Sequence, residues 1–148
     1  MARFRGTVSQ SAIATGTSAK TILQIVAPAD HRVALEEIGI SFAGISATNP
    51  PVLVEIVRQS DAGTTSAATP VKKDDSLSET LLTTARHTAT VEPTTGDVLK
   101  RFTVHPQTGV IWQARPGDEI IIGGGDRIGI RCTTTTTQNA TVYVDFEE

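Results

Sequence analysis

Gly123-Gly124-Gly125-Asp126-Arg127-Ile128-Gly129-Ile130-Arg131-Cys132 begins as a turn and continues as a strand. Three glycines and an aspartate supply the backbone freedom and the short polar side chain that a tight turn needs. The side chains then alternate, with Ile128, Ile130 and Cys132 on one face and Gly129, Arg131 and Thr133 on the other. A period of two with one apolar face marks a half-buried strand. Asp118 to Ile122 reads as a strand before the turn. Ala140 to Phe146 reads as another after it, with Val142, Val144 and Phe146 inward. Together they predict a β-meander at this end of the chain.

The same pattern recurs upstream. Thr21 to Ala27 is a strand stopped by Pro28. Arg32 to Gly44 is the longest, with Val33 and Leu35 in one phase and Ile38, Ile40 and Phe42 in the other, so a bulge at Glu36-Glu37 is needed to keep one face inward. Val52 to Gln59 is a strand apolar from Val52 to Val57 except at Glu55, as in a strand covered on both faces, and a neighbouring subunit is one way to cover the second. Shorter strands follow at His87 to Val91, Val98 to His105 and Val110 to Arg115, each bounded by Pro or Gly turns. Residues 60 to 76 form a long polar loop, and the capping box Ser76-x-x-Glu79 allows one short helix over Leu77 to Ala85. Residues 1–20, small and polar with scattered Phe4, Val8 and Ile13, read as an extended N-terminal arm or as an irregular first strand, and the arm is favoured. The expectation is an all-β chain with the arm at 1–20 and a single antiparallel β-sandwich at 21–148. That sandwich is jelly-roll-like with eight or nine strands, although an immunoglobulin-like sandwich gives a similar strand pattern.

Composition narrows the function. A chain of 148 residues fits one domain. With 13 bases against 16 acids, it lacks the basic excess of a nucleic-acid binder. No apolar run reaches the roughly 18 residues of a membrane span, and no apolar signal core follows Arg3 and Arg5, so synthesis in a cytoplasm is expected. Cys132 is the only cysteine and falls on an inward phase, which makes it a buried thiol. Arg3, Arg5 and Lys20 carry the only charges of the first twenty residues, leaving ten bases and 16 acids in the remainder. A mildly basic arm therefore precedes an acidic body.

No stretch carries the spacing of a catalytic or metal site. His31, His87 and His105 are isolated and beside turns, without the His-x-His pair of a cupin. The glycine cluster lacks Gly-Lys-Thr/Ser and leads into a strand instead of a helix. Asp61, Asp74 and Asp75 do not form a calcium-loop ladder, and no Gly-x-Ser-x-Gly elbow is present. A non-enzymatic protein without cofactor or metal is expected. Trp112 reads either as a sugar-stacking platform or, with more weight, as a partly buried core or interface residue.

Four stretches, Ala12 to Gln24, Val33 to Phe42, His87-Thr88-Ala89-Thr90-Val91-Glu92-Pro93 and Gly123 to Cys132, give the chain a layout that resembles the bacteriophage capsid decoration, or cement, proteins. The ending, Gly-Asp followed by alternating apolar residues and a closing strand, looks like the last strands of jelly-roll subunits. The resemblance implies a structural protein on the outside of a phage head, a homo-trimer that clamps major capsid protein subunits, with no nucleic-acid or membrane partner. The arm residues Arg3, Phe4, Arg5, Thr7 and Val8 are then the candidate capsid contacts, adding to a sheet edge or crossing an acidic shell surface. Leu53, Val57, Ile111 and Trp112 are the candidate subunit interface. A phage tail or fibre module that binds a host glycan or protein through loops 60–76 and 133–139 is the alternative.

Overall fold

The computed structural model describes residues 4–148, and every regular element among them is a strand. In chain order these are β1 (Arg5–Ala14), β2 (Lys20–Val26), β3 (Val33–Phe42), β4 (Val52–Gln59), β5 (Thr64–Ala68), β6 (Val71–Lys72), β7 (Thr84–Val91), β8 (Thr95–Val104), β9 (Gly109–Gln113), β10 (Ile120–Ile122), β11 (Arg127–Thr133) and β12 (Asn139–Glu147). They form two antiparallel sheets, packed as a β-sandwich. The first runs β10-β3-β12-β1-β6, with β9 also on β3, and the second runs β5-β7-β2-β11-β4-β8.

The inward phases of the sequence become the core. Leu35, Ile40, Val142, Val144 and Phe146 of the first sheet are almost wholly buried, as are Leu23, Ile25, Ile56, Ile128 and Ile130 of the second. Each such side chain stabilises the fold by roughly 1.5–3 kcal/mol through loss of apolar surface from water. The bulge expected at Glu36-Glu37 is present: Asp145 pairs with Glu37 but Phe146 pairs with Leu35, so Glu36 is the extra residue. It resets the phase and lets Val33, Leu35, Ile38 and Ile40 all reach the core. Cys132 is buried, and its apolar surroundings push the thiol pKa upward.

Several expectations need correction. The last strands are not a meander, because β10 and β12 lie in the first sheet while β11 lies between β2 and β4 in the second. Periodicity identifies a strand but not the sheet that receives it. The polar loop 60–76 contains β5 and β6, whose Thr-Thr-Ser-Ala-Ala and Val-Lys sequences carry no apolar alternation. With these additions the described residues hold twelve strands instead of eight or nine. The helix over 77–85 is absent. Thr80, Thr83 and Thr84 disfavour it, and Glu148 holds the segment open by accepting the backbone N–H groups of Leu82 at 2.9 Å and Thr83 at 2.8 Å.

The N-terminal arm is also corrected. Residues 5–14 pair with β12 from Arg5↔Glu147 to Ala14↔Asn139, and Gly6 and Thr7 pair with β6 on the other side. A boundary at residue 20 therefore falls inside the sandwich. Val8 and Ile13, 1% and 6% exposed, are what drive the segment onto the core. Removing residues 1–12 is accordingly expected to abolish the cooperative thermal transition seen by circular dichroism. A truncated chain that melts like the full one would contradict this placement.

Candidate interaction surfaces

The residues singled out from the sequence are dispersed. Arg3 lies outside the described residues. Phe4 exchanges backbone hydrogen bonds with Glu148, extending the β1–β12 ladder. Arg5 reaches Glu36 at 3.5 Å and Glu147 at 3.7 Å, beside an open cleft of about 720 Å3 that His31, Arg32 and Glu119 also line. Thr7 faces Asp145 across the ladder, and Val8 points into the core, so Val8 has no surface to offer a capsid. Val57 is likewise fully buried by its own chain and leaves the interface set. Leu53 and Ile111 are exposed, at 36% and 63%. Trp112 is half-buried and packs against the core, with Lys100 Nζ 6.0 Å from its ring centroid, as the partly buried reading expects.

Val57 is covered because β7 and β8 sit far apart in the second sheet and only residues 92–94 join them. Four strand spacings amount to about 19 Å, whereas the four Cα steps from Val91 to Thr95 span at most about 14 Å. The strands must therefore peel inward over the outer face. β7 does so at Thr88, whose φ is 54°, and β8 does so through register shifts opposite Ile56, Val57 and Gln59.

Beneath this crossing lies a polar inlay. Gln24 Nε2 donates to Gln59 Oε1 at 2.7 Å and to the Asp61 carbonyl at 2.9 Å, and Gln59 Nε2 donates to Thr21 Oγ1 at 2.8 Å. Thr21 Oγ1 donates in turn to Glu92 Oε2 at 2.7 Å, and Arg127 Nη1 reaches Gln24 Oε1 at 3.0 Å. Hydrogen bonds from Thr94 and then Gly63 hold the Asp61 carboxyl below its usual range. Gln59 can lie across β11 only because residue 129 is glycine, since a methyl there would sit 2.2 Å from Gln59 Oε1. The glycine in the alternating stretch is thus a packing requirement.

The other half of this face is uncovered and charged. Glu55 lies on one rung between Arg131 of β11 and Arg101 of β8. Its carboxylate accepts Arg131 Nε at 2.9 Å through Oε1 and Arg101 Nε at 3.0 Å through Oε2. The Glu55 side chain is 8% exposed, while those of Arg131 and Arg101 are 21% and 64% exposed. The next rung holds Thr133, Leu53 and Thr103. None of these charges was singled out beforehand, although the signal existed: Glu55 is the lone acid within Val52-Leu53-Val54-Glu55-Ile56-Val57.

On the outer face of the first sheet Tyr143 lies over Gly39, where a methyl would come within 2.0 Å of its ring, and its hydroxyl donates to Glu37 Oε2 at 2.7 Å. No group of three or more His, Cys, Asp or Glu placed to hold a metal occurs among the described residues. Among the described residues no helix is long and apolar enough to cross a membrane. Family models, curated proteins and solved structures all gave no match to the chain.

Two measurements check these placements. Gly129→Ala is expected to cost about 1–3 kcal/mol in denaturant unfolding, the usual penalty for overpacking. Gly96→Ala, whose added methyl meets nothing nearer than 3.7 Å, should cost far less; equal losses would discount the inlay. Tyr143 is the only tyrosine, and its hydrogen bond to Glu37 pushes its pKa up to about 12 from 10.0. Its contribution to stability is thus fully present below pH 10 and lost as the pH rises through about 12. Ultraviolet titration should show this midpoint, and Glu37→Gln should lower it; a midpoint of 10 in the wild type would contradict the contact.

Proposed function

We propose that the two sheets are the halves of a jelly roll and that the protein is a structural, non-catalytic virion component. In this reading it is a capsid decoration protein that is synthesised in the host cytoplasm, binds the outer surface of a phage head as a homo-trimer and clamps major capsid protein subunits. The observation that carries this reading is the strand order. Setting aside β5, β6 and β7, the sheets read β1-β12-β3 with β9 and β10 on one side and β2-β11-β4-β8 on the other. Successive strands β1 to β4 alternate between the sheets, as do β10, β11 and β12. This alternation supports the double Greek-key winding of jelly rolls, an architecture used for viral shells as well as lectins and cupins. Fold alone does not choose among these uses. The resemblance in layout favours the virion.

Because β1 is part of the sheet, the shell contact is assigned here to the loop between β3 and β4. Ile45 stands 96% exposed in that loop, an apolar side chain with nothing of its own chain to cover it. The exposed Ile111 and Leu53 are assigned to contacts between subunits.

Co-sedimentation with expanded phage heads from the encoding genome, stripped of their own decoration protein, tests the reading. The wild type should pellet with the heads and saturate. Ile45→Asp should keep its melting transition but bind at least about tenfold more weakly, the effect of burying a charge in an apolar contact. Failure of the wild type to pellet would reject the capsid role, and wild-type binding by Ile45→Asp would reject this docking loop.

A further inference from the structure

The charges of this acidic chain are sorted by sheet. The six strands of the second sheet hold seven bases against two acids, Glu55 and Asp97, whereas the rest of the described chain holds five bases against 14 acids. Two of the seven bases, Arg101 and Arg131, lie on the uncovered half of the outer face, where one carboxylate orients both guanidiniums. Each guanidinium gives Glu55 only its Nε–H, so its amino groups remain available for a carboxylate. Leu53 and the hydroxyls of Thr103 and Thr133 adjoin them, giving an apolar contact beside the charge.

Most of the chain's own acids are already engaged. Glu36 is held by Arg5, Glu37 by Tyr143 and Gln113, Asp145 by Lys73, and Asp74 by Ser76. Exposed acids without an ion pair among the described residues include Asp30, Asp75, Glu79, Asp97, Asp118 and Asp126, and of these Asp75 and Glu79 share one segment, after β6, on either side of the half-buried Leu77. β6 ends the first sheet and β8 ends the second. An acidic apolar segment and a basic apolar face thus belong to separate edges of one molecule, complementary in charge to each other in a neighbour.

We propose that the Arg101–Glu55–Arg131 row is the docking site for a second copy of this chain, whose loop at residues 73–79 supplies Asp75 and Glu79 to the two arginines. The contact is head-to-tail, since the two surfaces differ. It concerns only copies of this chain and stands whether or not the capsid reading holds.

Light scattering after size exclusion, at low and high ionic strength, tests it. The wild type should exceed the monomer mass at low salt and lose mass at high salt, because the pairs are partly exposed and screened. Asp75→Lys with Glu79→Lys changes only exposed loop side chains and should raise the dissociation constant roughly tenfold or more. Glu55→Gln, Arg101→Gln and Arg131→Gln together should do the same, and as a set they leave no buried charge unpaired. Thermal melts confirm that both variants fold. A wild type that stays monomeric at low salt, or association that survives in either folded variant, would overturn the assignment.

Discussion

Three residues, Glu92 to Thr94, carry the chain between strands that lie on opposite sides of β2, β11 and β4. The connection is too short for a crossing between straight strands, and much of the outer face follows from that shortage. β7 bends at Thr88, β5 arrives through Gly63 at a φ of 53°, and β8 gives up regular pairing with β4 near Val57. Polar side chains brought under the crossing lose water and must find partners within the protein. Gln24, Gln59 and Thr21 find them in one another, in Asp61 and in Glu92. Gly129 is the condition for that arrangement, because any side chain would occupy the place of Gln59.

The Glu55 row is governed by a different balance. Burying a carboxylate costs several kcal/mol unless charge and hydrogen bonds compensate it. With two arginines on its own rung, each carboxylate oxygen has a cationic donor. The surplus positive charge is moved outward, to the more exposed Arg101. Such a row also fixes register, since a one-residue slip of β4 would place Glu55 in the core and set Val54 or Ile56 between the arginines. The row therefore aligns three strands.

Strand positions were legible where apolar alternation was strong. Val52 to Gln59 matches its observed limits, and the Glu36 bulge follows from the phase change in β3. Sheet membership was not legible, because β10, β11 and β12 look alike in sequence while their partners lie far away along the chain. β1 was read mainly as an arm because its inward residues, Val8 and Ile13, are five apart, a spacing that a bulge between Gln10 and Ile13 accommodates. The strand Val52 to Val57 was read as covered on both faces, which holds for Val57, beneath the chain's own crossing, but not for Leu53, which stays exposed. The arginine row was hidden because its members are 46 and 76 residues from Glu55, and only register brings them together.

The segregation of charge also bears on symmetry. In a two-fold contact each surface meets its own image, so the row would confront another pair of arginines with one carboxylate for every two cations. Like charges placed against one another cost several kcal/mol and suppress that arrangement. A rotation that instead brings the row to the 73–79 loop pairs opposite charges at every contact. Repeated, it closes into a ring only if the rotation divides a full turn, and otherwise continues as a filament. Loop length matters here, because 73–79 is anchored at both ends: Lys73 N–H donates to Arg5 O at 2.9 Å, and Lys72 Nζ reaches Glu79 O at 3.0 Å. An acidic loop held at both ends presents Asp75 and Glu79 at a set angle, and the value of that angle decides between a closed ring and open growth.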